Sequence, residues 1–351
     1  MSNSTINPNQ IRHCKMPMVP PRELAADVNP RRAGLIRAIG SKWVNGTQLT
    51  YGFLQNTTDA EKNVVRNAFN TWQSLCGLTF QESTDARQAM VRITFDRNDG
   101  SWSYVGRDIL NTAIVGQGQP TMNFGWNLTE NSYGVTTALH EIGHTLGFHH
   151  EHQNPFSGIV WNEQAVYSHF SGPPNHWSRE LIDWNILRKL KQNEVDGSQW
   201  DKNSIMHYAF EAGLINKPEV YKTAALLPPG TISTIDKDLV QKFYPTTRSE
   251  PQPLRLLQSQ TLSLAPGEQK DFNFSPDYSR SYTIQTFGTS DVIMVMHVQD
   301  NGQWRYLTAD DDSGVDRNAK IQRRLLKGRT YQIRVRLYYS DRAGETAIMV
   351  S

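Results

Sequence analysis

The sequence predicts an α+β domain followed by an all-β sandwich. Three observations carry that expectation. Strand-like stretches between residues 48 and 95 flank one strongly periodic helix, a turn-rich break falls at 245–253, and beyond it the hydrophobic period changes from helical to alternating. A chain of 351 residues has room for two such domains.

Residues 1–34 read as an arm, polar, with Pro8, Pro17, Pro20, Pro21 and Pro30, and ending in the basic pair Arg31-Arg32. The first domain is expected over 35–248. It opens with a strand around Gln48–Leu54. Thr58 and Glu61 then form a capping-box pattern, and Val65, Phe69, Trp72 and Cys76 recur at helical spacing, which turns that stripe to the core. Val91, Ile93 and Phe95 alternate with Arg92 and Thr94, the pattern of a half-buried strand. Residues 100–245 are rich in Gly, Trp and His, with helices expected at Val135–Leu146, Asn162–His169 and Asp236–Phe243. Pro245 and Glu250-Pro251-Gln252-Pro253 mark a linker. In 255–351, Tyr282 and Ile284 alternate with polar neighbours, as do Tyr331, Ile333, Val335, Leu337 and Tyr339 with Gln332, Arg334 and Arg336 between them, which predicts an antiparallel sandwich domain.

Composition narrows the function. At 38% hydrophobic and 20% charged the chain can build a core. Its 36 Lys plus Arg against 34 Asp plus Glu lack the basic excess of a nucleic-acid binder. No apolar run approaches the ~20 residues of a membrane span, and the opening MSNSTINPNQIRHCKMP has no apolar signal segment. Two cysteines, Cys14 and Cys76, exclude a disulfide scaffold. A secreted monomer is expected, exported by a specialised bacterial route, as an effector is, or after loss of its signal.

One segment dominates the chemistry: His140-Glu141-Ile142-Gly143-His144-Thr145-Leu146-Gly147-Phe148-His149-His150. Residues four apart share a helix face, so His140 and His144 can point at one ion with Glu141 beside it. Gly147 lets the chain leave the helix and brings His150 round as third ligand. A lone His-x-x-x-His is often two exposed histidines, but the eleven-residue form is far more restrictive. Three imidazoles on Zn²⁺ leave a position open for water, the catalytic pattern, and Glu141 is placed as general base. His149 stands at the wrong spacing from Gly147 for a ligand.

Downstream, Ser204-Ile205-Met206-His207-Tyr208 supplies a Met turn of the metzincin kind. With His150-Glu151-His152, Trp102-Ser103-Tyr104-Val105-Gly106-Arg107, Leu75-Cys76-Gly77-Leu78-Thr79-Phe80, and Asp236 with Tyr244, the stretch 40–245 resembles the astacin family of zinc endopeptidases. The resemblance implies a metzincin-type catalytic domain, a twisted sheet plus an active-site helix around a zinc cleft, acting on protein or peptide substrates. It further implies that Met206 floors the zinc site and that Tyr208 is a switchable zinc ligand that swings away to stabilise the tetrahedral intermediate. A plain core tyrosine is the alternative for Tyr208. Glu151 would accept the new amino terminus of a cleaved chain. Two departures stand out: Ser101 occupies the place of a family cysteine, leaving Cys76 without its usual partner, and Gln153-Asn154-Pro155 replaces a charged run.

The arm carries Arg12-His13-Cys14-Lys15-Met16-Pro17. A thiolate is a strong zinc ligand, so Cys14 in the open position would block catalysis, with Arg12 and Lys15 helping to keep the sulfur deprotonated. Asp27 competes for that role, and an exposed thiol or a disulfide to Cys76 are the simpler alternatives. Activation would be cleavage at Arg31-Arg32, with Ala33 as the new terminus. In the sandwich, which resembles the small β-domains of secreted bacterial peptidases, Asp310-Asp311-Asp312 is a candidate Ca²⁺ loop, against the commoner reading of a solvated turn. The rival to a peptidase is an adhesion or binding protein with a vestigial metal site.

Overall fold

The computed structural model describes residues 12–20, 41–43, 47–191, 199–244, 246, 250–300, 302–339 and 342–351. The chain forms two compact units, one of Met1–Trp43, Thr50–Trp72 and Glu82–Lys237, the other of Val44–Leu49, Gln73–Gln81 and Asp238–Ser351.

The capping box opens the first helix as the sequence predicts. The Glu61 N–H donates to the Thr58 hydroxyl at 3.3 Å, and α1 runs Asp59–Leu75. Val65, Phe69 and Trp72 on one face are buried, and Trp72 Nε1 donates to the Leu139 carbonyl at 3.0 Å. The sheet comprises β1 (Gln48–Phe53), β2 (Thr79–Glu82), β3 (Val91–Thr94), β4 (Trp102–Ser103) and β5 (Met122–Asn123), in the order β2-β1-β3-β5-β4. β3 is parallel to β1 and β5, and the edge strand β4 is antiparallel to β5.

β3 corrects the expected half-buried strand. It lies between β1 and β5 and all four residues are buried. Arg92 is accommodated because its guanidinium donates to the Gln119 and Ala89 carbonyls, and Thr94 because its hydroxyl donates to Asn123 Oδ1 at 2.9 Å. A buried polar side chain is tolerated when it is hydrogen-bonded.

α2 spans Tyr133–Thr145, beginning two residues before the expected Val135. Next come β6 (Val160–Trp161) and α3 (Glu163–Ser171), whose N-cap Asn162 accepts from the Ala165 N–H. α4 (Arg179–Ile182) runs into a π-helical turn at Asp183–Leu187. β7 (Ile215–Lys217) pairs with β6, and α5 spans Thr234–Phe243.

The second unit contains the expected sandwich. One sheet holds β8 (Gln252–Pro253), β10 (Gln269–Phe274), β12 (Val292–Asp300), β13 (Gln303–Asp310) and β15 (Tyr331–Leu337) in the order β13-β12-β15-β10-β8. The other orders β14 (Lys320–Leu325), β11 (Arg280–Phe287), β16 (Gly344–Val350) and β9 (Gln260–Leu264). Phe272, Ile284, Met294, Ile333 and Ile348 belong to the core between them. β15 departs from simple alternation, since Gln332, Arg334 and Arg336 are buried too. It is a central strand, Arg334 pairs with Asp271 at 3.4 Å, and Arg336 donates to the Phe243 carbonyl at 2.7 Å.

The calcium expectation is not supported. Asp310 accepts from the Ser313 and Lys320 N–H groups at 3.1 and 2.7 Å and from the Ser313 hydroxyl at 2.5 Å, so its carboxylate fastens a turn. Asp310, Asp311 and Asp312 form no ligand cluster among the described residues.

Candidate active site

α2 carries His140, Glu141 and His144 to the centre of the first unit, all buried. His140 Nδ1 donates to the Ile205 carbonyl at 2.8 Å and His144 Nδ1 to the Phe148 carbonyl at 2.7 Å. A carbonyl only accepts, so each Nδ1 holds the proton and each Nε2 offers a lone pair. Gly147, at φ +94°, turns the chain out of the helix and brings His150 back. His144 Nε2 and His150 Nε2 stand 3.1 Å apart.

The fourth member comes from the arm. Cys14 Sγ lies 3.7 Å from His144 Nε2, and the ligand atoms of Cys14, His140, His144 and His150 all lie within 4.8 Å of one another. Tetrahedral zinc with three nitrogens at ~2.0–2.1 Å and one sulfur at ~2.3 Å would set such separations at about 3.3–3.6 Å. The His140 Nε2 is buried without a hydrogen-bond partner, as a metal-ligating nitrogen would be. The donor set therefore fits zinc. His149 and His152 stay outside it, and His152 Nε2 donates instead to the Asn185 carbonyl at 2.8 Å.

Burial sets the protonation chemistry. It pulls His140 down to about 4, and pulls His144 and His150 well below the ordinary imidazole value, with neighbouring histidines adding to the effect. Neutral imidazoles are what a metal needs. Burial pushes the Glu141 carboxyl up to about 8. It also drives the Cys14 thiol upward, with Glu141 adding to the effect, and Sγ donates to Glu141 Oε2 at 3.4 Å. This corrects the role expected for Arg12 and Lys15. The Arg12 guanidinium lies over the Trp126 ring at 5.6 Å and Lys15 pairs with Asp99 at 2.9 Å, so each is engaged by a partner other than the sulfur.

The Met turn passes under α2. A Cβ on Gly143 would fall 2.4 Å from Met206 Sδ, so a side chain there would push the Met206 thioether aside. Asp236 fixes the turn, accepting from the Ser204 hydroxyl at 2.6 Å and the Ile205 N–H at 2.8 Å. The Tyr208 hydroxyl donates to the Cys14 carbonyl at 2.5 Å. Glu151 Oε1 accepts from the Asp201 N–H and the Asn154 amide at 2.9 and 3.0 Å, and burial, with Asp236 and Asp201 nearby, raises it to about 7.

The sequence model of the Astacin peptidase family matches residues 36–163. Among solved structures, myroilysin is 30% identical with a TM-score of 0.54, and the match covers 59% of this chain and 97% of that one. The chain belongs to the astacin family. Curated relatives include the Protein SpAN of Strongylocentrotus purpuratus, 26% identical, with 44% of this chain and 23% of that protein covered. Tolloid-like protein 1 of Homo sapiens is 30% identical over 48% of this chain and 14% of its own length. The chain thus spans less than a quarter of the length of these curated relatives.

In this astacin-family site the structure brings together His140, Glu141, His144, His150, Met206, Tyr208 and Cys14. Cys14 and Cys76 are both buried thiols with no disulfide between them, which removes the two simpler expectations for Cys14. Asp27, Arg31, Arg32 and Ala33 lie outside the described residues. Sequence reading missed His13, which is buried with Nε2 donating to the Ala209 carbonyl at 2.9 Å. It also missed Tyr133, whose hydroxyl donates to the Arg12 carbonyl, and the Ser101 carbonyl, which accepts from the Lys15 N–H at 2.8 Å. No spacing announced these contacts, because the arm has no periodicity of its own.

Proposed function

We propose that the protein is a zinc-dependent endopeptidase held latent by its own arm. The carrying observation is the convergence of three buried imidazoles, the Glu141 carboxyl and the Cys14 thiol on one point. His140, His144 and His150 would hold zinc, which when bound polarises a peptide carbonyl and acidifies water. Glu141 takes the proton from the attacking water and returns it to the leaving nitrogen, a role suited to a carboxyl whose burial has raised its proton affinity. Tyr208 donates its O–H to the developing oxyanion. Its present hydrogen bond to a backbone carbonyl is the ground-state counterpart of that contact.

Latency follows from the same groups. Cys14 occupies the fourth ligand position, its thiol engages Glu141, and its carbonyl engages Tyr208. After cleavage of the arm, Glu151 is the acceptor for the new amino terminus, since a half-buried carboxyl beside two aspartates is relieved by a cation. We place the site of action outside the producing cell, where a latent form protects the cytosol from the peptidase. X-ray absorption of the uncleaved, zinc-loaded protein tests the reading. One Zn per chain with three nitrogens and one sulfur is expected, the sulfur vanishing in Cys14→Ser. A sulfur-free zinc shell in the uncleaved wild type would refute latency through Cys14.

A further inference from the structure

We propose that the aromatic box around His13 is a side-chain subsite of the substrate cleft, built to take a flat ring from a residue next to the bond that is cut. The proposal deepens the reading above, since it requires that the arm lie in the cleft and leave on activation. Phe170, Trp177, Tyr208 and Phe210 surround the His13 ring, with centroids 4.8, 6.4, 5.1 and 6.1 Å away. The first three meet it edge to face, at 69°, 73° and 61°, and Phe210 stacks at 30°. These are the attractive arrangements of ring pairs.

The box is adjacent to the reacting groups, because the very next residue puts its thiol on Glu141 and its carbonyl on Tyr208. Its walls are also fixed without His13. The Trp177 N–H donates to the Phe170 carbonyl at 2.9 Å, and the Phe210 and Leu226 backbones exchange two hydrogen bonds of 2.8 Å. A core built only for stability would be closed by a residue of the domain itself. Here the plug rides on the arm, so its departure opens a preformed slot walled by Phe170 and Trp177.

The polar content of the slot selects among side chains. The Ala209 carbonyl at its far end accepts from Nε2, while Nδ1 is buried without a partner. The slot thus offers His13 one acceptor and no donor. A carboxylate would be desolvated and face the Ala209 carbonyl, and a lysine would lose its hydration. A ring fills it, and an N–H or O–H at the far edge of the ring gains the carbonyl.

The test digests a peptide library with the arm-cleaved protein and reads the cuts by mass spectrometry. His, Tyr, Phe or Trp should be enriched at one fixed position adjacent to the cleaved bond. The ratio of kcat/KM for an aromatic over an alanine peptide should fall about tenfold in Phe170→Ala, and by less in the milder Phe170→Leu. Cleavage without aromatic enrichment, or an unchanged ratio in both variants, overturns the subsite alone. Absence of any cleavage by the activated wild type overturns the peptidase reading and the subsite with it. A second readout needs no turnover. In the uncleaved chain, Cys14 should stay protected from alkylation in His13→Phe and react about tenfold faster in His13→Lys. Equal protection by Phe and Lys would contradict the selectivity argued here.

Discussion

Glu141 follows His140 by one residue, so on the proposed mechanism the helix that would fix a ligand would also fix the base. Replacing it should therefore separate chemistry from metal binding. Glu141→Ala is expected to keep one zinc per chain while kcat falls about 10²-fold or more, measured by metal analysis beside a peptide assay. Tyr208→Phe should lower kcat more than it raises KM, because its donated hydrogen bond belongs to the transition state. The same substitution removes a contact to the Cys14 carbonyl, so it should also loosen the arm. The thiols give a third expectation. Burial pushes Cys76 up to about 11 and drives Cys14 upward as well. The uncleaved protein at pH 8 should thus resist alkylation at both, cleavage should free Cys14 as a reactive thiol on the released arm peptide while Cys76 stays protected, and the unfolded chain should label twice. Labelling of Cys76 in the folded protein would contradict its burial. The clustering of His140 and His144 was legible because helical geometry converts a spacing of four into a shared face. His13 was illegible because its seat is assembled from α3, the loop after it and the segment beyond the Met turn.

Among the elements, α1 shows how one buried carboxylate can organise a helix start. Glu61 accepts from the Thr57 and Thr58 hydroxyls, from Arg97 at 2.6 Å and from the Leu128 N–H at 3.2 Å. Burial alone would raise its pKa, but the bonds from Thr57, Arg97 and Leu128 outweigh it and the carboxyl is held below its ordinary value. A depressed folded pKa contributes stability above the unfolded value near 4.5, lost as the pH falls through the folded one. Glu61→Gln should therefore destabilise the protein at pH 7 and flatten its loss of stability below pH 4.5, by about 1–2 kcal/mol in denaturant titrations. An unchanged acid limb would mean that Glu61 does not titrate as argued. The capping box was readable because it is local. The burial of Arg92 in β3 and of Arg334 and Arg336 in β15 was not, since alternation describes a strand with one wet face. Which faces are covered depends on neighbours far away in sequence.

For the whole molecule, zinc would bind the folded chain and not the unfolded one. At a free concentration about 100 times Kd it adds about 2.7 kcal/mol, so chelation should lower Tm by about 5–10 °C, read by calorimetry on the uncleaved protein. No shift on chelation and reloading would argue against a metal at the centre of the first unit. The all-β character of the chain beyond residue 253 was legible in the change of period, because period reports the kind of element that follows. The membership of Val44–Leu49 and Gln73–Gln81 in the second unit was not, since chain proximity in space leaves no local trace. No helix among the described residues is long and apolar enough to cross a membrane.

The reach of the arm has a consequence for synthesis. His13 is seated on the Ala209 carbonyl, 196 residues away, and Cys14 on the Tyr208 hydroxyl. His140 takes its orientation from the Ile205 carbonyl. A ribosome delivers residues 13–14 well before residues 205–209. Until those residues emerge, His140 lacks the carbonyl that orients it, and once they do, the seat of the arm exists as well. The arm, which precedes them on the same chain, has by then already emerged. On the proposed latency, no stage of translation would therefore present a completed site without its plug within reach.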